Sequence, residues 1–597
     1  MHDIVIRNGR ILDGTGTPEF VGDIAIDGDR ISAVVREGEG IVGEGRREID
    51  ASGKLVTPGW IDIHTHMDAQ VSWDPFMTPS CYNGVTTVVM GNCGVGFAPV
   101  HESDREWLMD LMDAVEDIPA TAMSAGITWE WESFPEYLDA IDDKPRVIDI
   151  AAQFPHCALR TYVMGPRGAD DVQPTDEELA HMRRLVREGI AAGAVGFSSN
   201  RLLAHRTKEG ELIPGTLAQY PELEAVAEGI EQGGGGVFQL VGPFEREWVE
   251  NMALEHDLTI TYLSGEGSVT NGSGWKEGLE SVEEATERGV RIFPQVRGRG
   301  TTLLMNIEGS IHPYVLNNAY RDLVEQLPLA ERLEKMRDPE VKAQILGSDW
   351  DLSNDVRKKV QNAEDHPFLV DTTPGNLLPG LLEMVLGSSE TVYILGDPPV
   401  YEPEYDRSVA AHAERNGLTA EEAFYELMTD GDGSTLLLVY LEGYSQGNFD
   451  YQRDLMMHPL TRNGLSDAGA HVAAVSDAHM VSWNLAYWGR DRTRGELVPL
   501  ETIVHKQSGA NADLYNLRDR GELVSGKRAD VNVIDLDRLD TDAPHMVYDL
   551  PEGAKRFMQR PTGYVATICA GEVILEDDEL TGALPGKLVR AHQTSSA

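Results

Sequence analysis

Short apolar runs alternate with longer amphipathic stretches along this chain. Residues 3–7 and 23–26 are apolar runs separated by Asn8-Gly9 and Asp27-Gly28-Asp29, which are turn signals between strands. A strand through Lys54-Leu55-Val56 stops at Pro58-Gly59, and Trp60-Ile61-Asp62-Ile63-His64 reads as a buried strand ending in polar residues. Further strand-like runs follow at Val85–Met90, Val147–Ala152, Ala194–Phe197, Val237–Val241, Leu258–Leu263, Val290–Val296 and Gly464–Asp467. The segments between them leave room for a helix each. Eight strands alternating with helices predict fold class α/β, a parallel sheet closed into a (β/α)8 TIM-like barrel.

The distance from Val296 to Gly464 is too long for one helix. It predicts an insertion at about 300–450 before the last barrel strand, with helices at 320–345 and 419–429. At the C-terminal ends of the strands such a segment is either a lid or a helical decoration. After the barrel, Gly526–Asp535, Val565–Ile568 and Val573–Leu575 return to strand composition. Their pairing with the opening strands predicts a small β-sandwich domain built from both chain ends, 1–57 and 520–597, around a barrel of 58–519. The Gly233–Gly236 run precedes a strand and does not open a helix after one, so it reads as a turn and not as a phosphate cradle.

Composition narrows the partners. With 99 acidic against 50 basic residues and a formal charge of −49, the chain repels phosphate backbones and anionic bilayers, so neither nucleic acid nor membrane is an expected partner. Four cysteines without CxxC spacing make no disulfide framework and point to the cytoplasm. The first residues lack the apolar core of a signal peptide.

The sharpest chemical signal is Asp62-Ile63-His64-Thr65-His66. Alternate residues of a strand share a side, so His64 and His66 project together and offer two neutral nitrogen ligands to zinc or a similar divalent ion. Around them, Gly9…Asp13-Gly14, Asp27-Gly28-Asp29-Arg30-Ile31, Asp50-Ala51-Ser52-Gly53-Lys54 and Pro58-Gly59-Trp60-Ile61-Asp62 together resemble the amidohydrolase superfamily. Within it, Gly84-Val85-Thr86-Thr87, Gly91-Asn92-Cys93-Gly94 and the ending Pro561-Thr562-Gly563-Tyr564…Pro585-Gly586 are similar to the N-acyl-D-amino-acid deacylase (D-aminoacylase) branch. The resemblance implies a thiolate metal ligand at Cys93. It also implies a carboxylate at Asp467 that touches the metal and moves protons. A metal lowers the pKa of water, and a carboxylate beside it can take the proton and pass it to the leaving nitrogen. His471 either assists Asp467 or sits on a helix surface. His156 either lines the pocket or is a hydrogen-bonded core histidine.

The chain also departs from that branch, which has histidines at the ends of strands five and six and a lysine that holds the substrate carboxylate. Gln239 and Tyr262 stand at those strand ends, no lysine follows closely, and the strand-four motif reads Ser198-Ser199-Asn200-Arg201. His64, His66, Cys93 and Asp467 are then the ligands available, which favours one zinc ion per subunit over two. His156, Ser198, Asn200, Arg201, Gln239, Tyr262 and His471 are candidate substrate contacts, and Arg201, Arg297 and Arg299 are cations available for a carboxylate. The expected activity is hydrolysis of an amide or related C–N bond in a small molecule, such as an N-acyl amino acid, by metal-activated water. Two alternatives stay open: a catalytically silent barrel acting as a binding or scaffold protein, and a metal-dependent lyase or isomerase on the same fold. Analogy with other large barrels adds a homo-oligomer.

Overall fold

The computed structural model describes the chain except residues 41, 171, 209, 268–273, 350–384, 386 and 592–597. Its centre is an eight-stranded parallel sheet of β6 (Trp60–Asp62), β7 (Val85–Met90), β8 (Asp149–Pro155), β9 (Gly196–Asn200), β10 (Val237–Val241), β11 (Thr259–Leu263), β12 (Arg291–Val296) and β16 (Arg462–Asn463), in that spatial order. These strands are almost wholly buried, as expected of parallel strands covered on both faces. The sheet curls until its edges meet. His66 N donates to Ala468 O at 2.8 Å, Asp467 N to His64 O at 3.1 Å, and Asn511 Nδ2 spans Ile61 O and Asn463 O, both at 2.8 Å.

The predicted runs and the observed strands differ at three places. β8 and β9 begin two residues later and run through Pro155 and Asn200, so Ser198, Ser199 and Asn200 lie on a strand. At the eighth position the strand ends at Asn463, before the predicted Gly464–Asp467 run. Leu465 and Asp467 adopt φ of 68° and 48°, which is incompatible with continued β structure.

Both chain ends build a second, nine-stranded sheet. β1 (His2–Ile11), β2 (Phe20–Asp27), β3 (Arg30–Arg36), β4 (Gly45–Asp50) and β5 (Leu55–Pro58) are joined by β17 (Val531–Ile534) and by Tyr564–Cys569, Glu572–Glu576 and Glu579–Leu580. The seam is antiparallel, pairing Val533 with Val56 and Asn532 with Thr57. Alternate isoleucines and valines from both ends share one buried cluster, including Ile4, Ile6, Ile24, Val531, Val533 and Ile568.

The insertion has its own apolar core, and it contains a sheet that the sequence reading lacked. β13 (Thr301–Met305), β14 (Val392–Ile394) and β15 (Leu437–Glu442) pair antiparallel, with β15 central. The helix expected over 320–345 is three: Asn318–Leu323, Leu329–Met336 and Pro339–Leu346. Pro328 and Pro339 cannot donate within a continuing helix, and Asp338 caps the third by accepting from Glu340 N and Val341 N. The helix Ala420–Thr429 agrees with the sequence and opens with a Thr419–Glu422 capping box. No helix among the described residues is long and apolar enough to cross a membrane.

Candidate active site

A cavity of about 720 Å³ opens at the C-terminal ends of the parallel strands, with His64, His66, Cys93 and Asp467 in its wall. The insertion supplies much of the rest, including Thr302, Leu303, Ile311, Leu316 and Leu441. One ligand atom each from His64, His66 and Cys93 lies within 4.8 Å of the others. His64 Nε2 is 3.2 Å from Cys93 Sγ, and Asp467 Oδ1 faces His64 Nε2 at 3.5 Å and His66 Nε2 at 3.9 Å. Two imidazoles and a thiol therefore meet, with the Asp467 carboxylate beside the imidazoles.

The backbone is bent to achieve this. Cys93, Asp467 and His471 have φ of 54°, 48° and 48°, a left-handed conformation that costs a non-glycine residue about 1–2 kcal/mol. Glycines at 94 and 469, also at positive φ, complete the two turns. Asn92 Nδ2 fixes the cysteine turn by donating to Thr65 O and Val89 O, both at 2.9 Å.

Neighbours set the protonation of each group. His64 Nδ1 lies 2.9 Å from Gln295 Oε1 and 3.2 Å from Gln239 Nε2; in the tautomer that donates Nδ1–H to Gln295, the ring's lone pair is on Nε2, toward the cysteine. Burial lowers both imidazoles below their ordinary value, with Asp467 opposing, and keeps them neutral as ligation requires. Burial pushes the Cys93 thiol well up, with Glu116 and Asp467 adding to it. Burial also raises the Asp467 carboxyl, but the Arg297 guanidinium and the imidazoles outweigh it and hold the group below the usual carboxylate range. Arg297 Nη2 reaches Asp467 Oδ2 at 2.5 Å.

Two buried polar atoms stand beside these donors. His66 Nδ1 and Glu116 Oε1, 3.8 Å apart, have no hydrogen-bond partner among the described residues. Buried polar atoms are rarely left so. Neutral nitrogen, sulfur and carboxylate donors with an orphaned imidazole beside them fit a divalent ion such as zinc.

Of the candidate substrate contacts, only His471 reaches the cavity. His471 lines the cavity, with Nε2 3.5 Å from Glu116 Oε2. Gln239 lies behind the cysteine turn: Oε1 accepts from Cys93 N at 2.9 Å and Nε2 donates to Asn92 Oδ1 at 2.6 Å. Tyr262 is buried edge-on against Phe244, with centroids 5.5 Å apart. Ser198 Oγ accepts from Gly94 N at 2.9 Å, and Asn200 Nδ2 contacts His205 Nδ1 at 2.5 Å. His156 is buried between Ser199 Oγ and Glu222 Oε1, both at 2.9 Å. Arg201 is buried and donates to Ala218 O. None of these six is in the cavity wall.

Glu116, His205 and Gln295 were not anticipated. Glu116 carried a signal: in the helix Arg105–Glu116 it falls on the buried stripe of Leu108, Leu111, Met112 and Val115, where a carboxylate needs a reason.

Comparison with known proteins supplies the family. An uncharacterized Mycobacterium tuberculosis protein is 26% identical over 606 residues, covering 97% of this chain and 93% of its own. The D-aminoacylase of Alcaligenes xylosoxydans xylosoxydans is 37% identical over 199 residues, 33% of this chain and 37% of that enzyme. Among solved structures, N-acyl-D-glutamate deacylase from Bordetella bronchiseptica, complexed with zinc and a phosphonate inhibitor, superposes with a TM-score of 0.61 at 21% identity, over 99% of each chain. The model of the Amidohydrolase family matches residues 47–350 and 443–575, skipping most of the insertion. That match spans more than half of the chain, so the protein belongs to the amidohydrolase family, hydrolases of C–N bonds other than peptide bonds.

Proposed function

We propose that the protein hydrolyses the amide bond of a small N-acyl amino acid-like molecule, using one zinc-like ion held by His64, His66, Cys93 and Asp467. The parallel sheet is read as a closed (β/α)8 barrel of 58–519. The small β-sandwich is assigned to 1–57 and 520–597. The observation that carries the activity is the meeting of His64, His66 and Cys93, with Asp467 beside the imidazoles, in the wall of a cavity large enough for such a substrate. An ion there supplies Lewis-acid polarisation of the scissile carbonyl and lowers the pKa of water. Asp467 Oδ1, aimed between the two imidazoles, takes the proton of the attacking water and delivers it to the leaving nitrogen. Arg297 orients that carboxylate through Oδ2. Gln239 and Tyr262, being outside the cavity wall, support a count of one ion. The 37% identical stretch shared with a D-aminoacylase supports an N-acyl amino acid as substrate.

The test is metal content per subunit by elemental mass spectrometry, followed by release of free amino acid from a panel of N-acyl amino acids. One ion in the wild type, lost in Cys93→Ala and His64→Ala together with turnover, is the expected result. A wild type that takes up no zinc overturns the mechanism.

A further inference from the structure

Five long cationic side chains line the cavity: Arg206, Lys208, Arg297, Arg299 and Arg321. Four are engaged. Lys208 Nζ is 2.8 Å from Asp110 Oδ1 and 2.7 Å from Asp113 Oδ2. Arg297 bridges Asp467 and Asp477. Arg299 pairs with Asp477 and lies over the Tyr401 ring at 3.6 Å. Arg321 also has a partner.

Arg206 differs. Among the described residues its one hydrogen bond runs from Nη1 to Gly210 O at 3.1 Å, and its buried Nε has no partner. Burial lowers its guanidinium from the ordinary value, and among the described residues it forms no ion pair with a carboxylate. A half-buried cation without an anion is costly unless a ligand supplies one. The guanidinium keeps donors that no described residue accepts from, and a carboxylate is the acceptor such a group suits best.

The backbone under Arg206 is built to hold it. The described residues between 205 and 213 form a hairpin after β9: Thr207 N donates to Glu211 O and Gly210 N to Thr207 O, both at 2.8 Å, with a bridge between Arg206 and Leu212. Apolar side chains, among them Leu202, Leu263, Leu303, Ile311 and Leu441, form much of the remaining wall.

We infer that Arg206 is the specificity residue that binds the carboxylate of an anionic N-acyl substrate, whose acyl chain lies against that apolar wall. The inference rests on the proposed amidohydrolase activity for its substrate class. It reassigns carboxylate recognition from Arg201, Arg297 and Arg299 to the hairpin after the fourth parallel strand.

The test compares zinc-loaded wild type, Arg206→Met and Arg206→Lys on N-octanoyl-leucine, in both enantiomers, and on its neutral carboxamide. Binding of the same two compounds is measured by calorimetry on the Asp467→Asn background, so that it is read apart from turnover. In the wild type the acid binds more tightly than the carboxamide. In Arg206→Met that preference falls about 10–100-fold, the loss expected for charge-assisted hydrogen bonds, and Arg206→Lys recovers part of it as a point charge. In turnover the loss falls on KM and not on kcat. An acid-over-amide preference that is the same in Arg206→Met as in wild type overturns the inference, and so does a wild type that binds no acid. Acid bound through Arg206 but never hydrolysed would overturn the proposed activity and leave the carboxylate site standing.

Discussion

Asp149 and Asp467 are both buried carboxylates at ends of the parallel sheet, and they are satisfied in opposite ways. Asp149 opens β8, where strands enter the sheet. Its Oδ2 accepts from Arg520 Nη1 at 2.6 Å, and its Oδ1 accepts from Arg528 Nη2 at 2.9 Å and Lys587 N at 2.7 Å. Asp467 lies just past β16, where strands leave. Its Oδ2 is held by Arg297, while Oδ1 faces two imidazoles at distances too long for hydrogen bonds. Asp149 sits in ordinary strand geometry, and Asp467 sits in a left-handed turn. One end of the sheet spends its buried charge on holding the chain together. The other gathers a carboxylate, two imidazoles and a thiol at the cavity, the division expected between the two faces of such sheets.

Exchanging these two residues gives the largest predicted effects and the clearest way to break the comparison. Asp467→Asn lowers kcat by about 10²–10⁴-fold, the value of a positioned proton-transfer group, and lowers the thermal unfolding midpoint less than Asp149→Asn does, because Arg297 keeps its pairing with Asp477. Asp149→Asn leaves Arg520 and Arg528 facing a neutral amide and destabilises the fold by about 3–5 kcal/mol, while molecules that stay folded keep their activity per site. The comparison fails if Asp467→Asn unfolds as readily as Asp149→Asn does.

A smaller effect sharpens it. Gln295 Oε1 fixes the His64 ring so that Nε2 faces the cysteine. Gln295→Leu removes that constraint and weakens zinc binding about 10–100-fold, measurable by competition with a chromophoric chelator. Affinity equal to wild type would mean that the ring is held by packing alone, without need of the amide.

The sequence displayed these two ends unequally. His64, His66, Cys93 and Asp467 stood out because each sits in a short local pattern, and the structure brings their ligand atoms together. Gln295 and Arg206 carried no such pattern: one is a polar residue within an apolar strand, the other a basic residue in a loop. Their roles come from contacts between segments far apart in sequence, as with the 231 positions between His64 and Gln295. Seven of the eight parallel strands were visible as apolar runs, while the eighth, the polar Arg462–Asn463, precedes the predicted Gly464–Asp467 run, whose left-handed residues end the strand. The insertion's sheet was hidden for the same reason as Gln295, since β13 pairs with a strand more than a hundred residues later. Asp149, the anchor of the stable end, looked like any other aspartate.

The smallest prediction concerns a buried cation where the eighth strand enters the sheet. Lys506 Nζ donates to Thr461 O at 2.7 Å, to Thr461 Oγ1 at 2.8 Å and to His458 O, just before β16, with no carboxylate among these acceptors. Burial, aided by the Arg462 charge, lowers its pKa to about 7. Between that value and the ordinary lysine value near 10.4, the unfolded chain carries a proton that the folded chain lacks. Stability then rises with pH across this window, by at most about 1.4 kcal/mol per unit for one proton, and the contribution is flat on either side. Lys506→Met removes that slope, which denaturant midpoints at several pH values from 7 to 10 would detect as a difference from wild type. If the two proteins keep the same slope, the three oxygens hold Lys506 as a full ammonium, and the strand entrance is fixed by charge there as firmly as at Asp149.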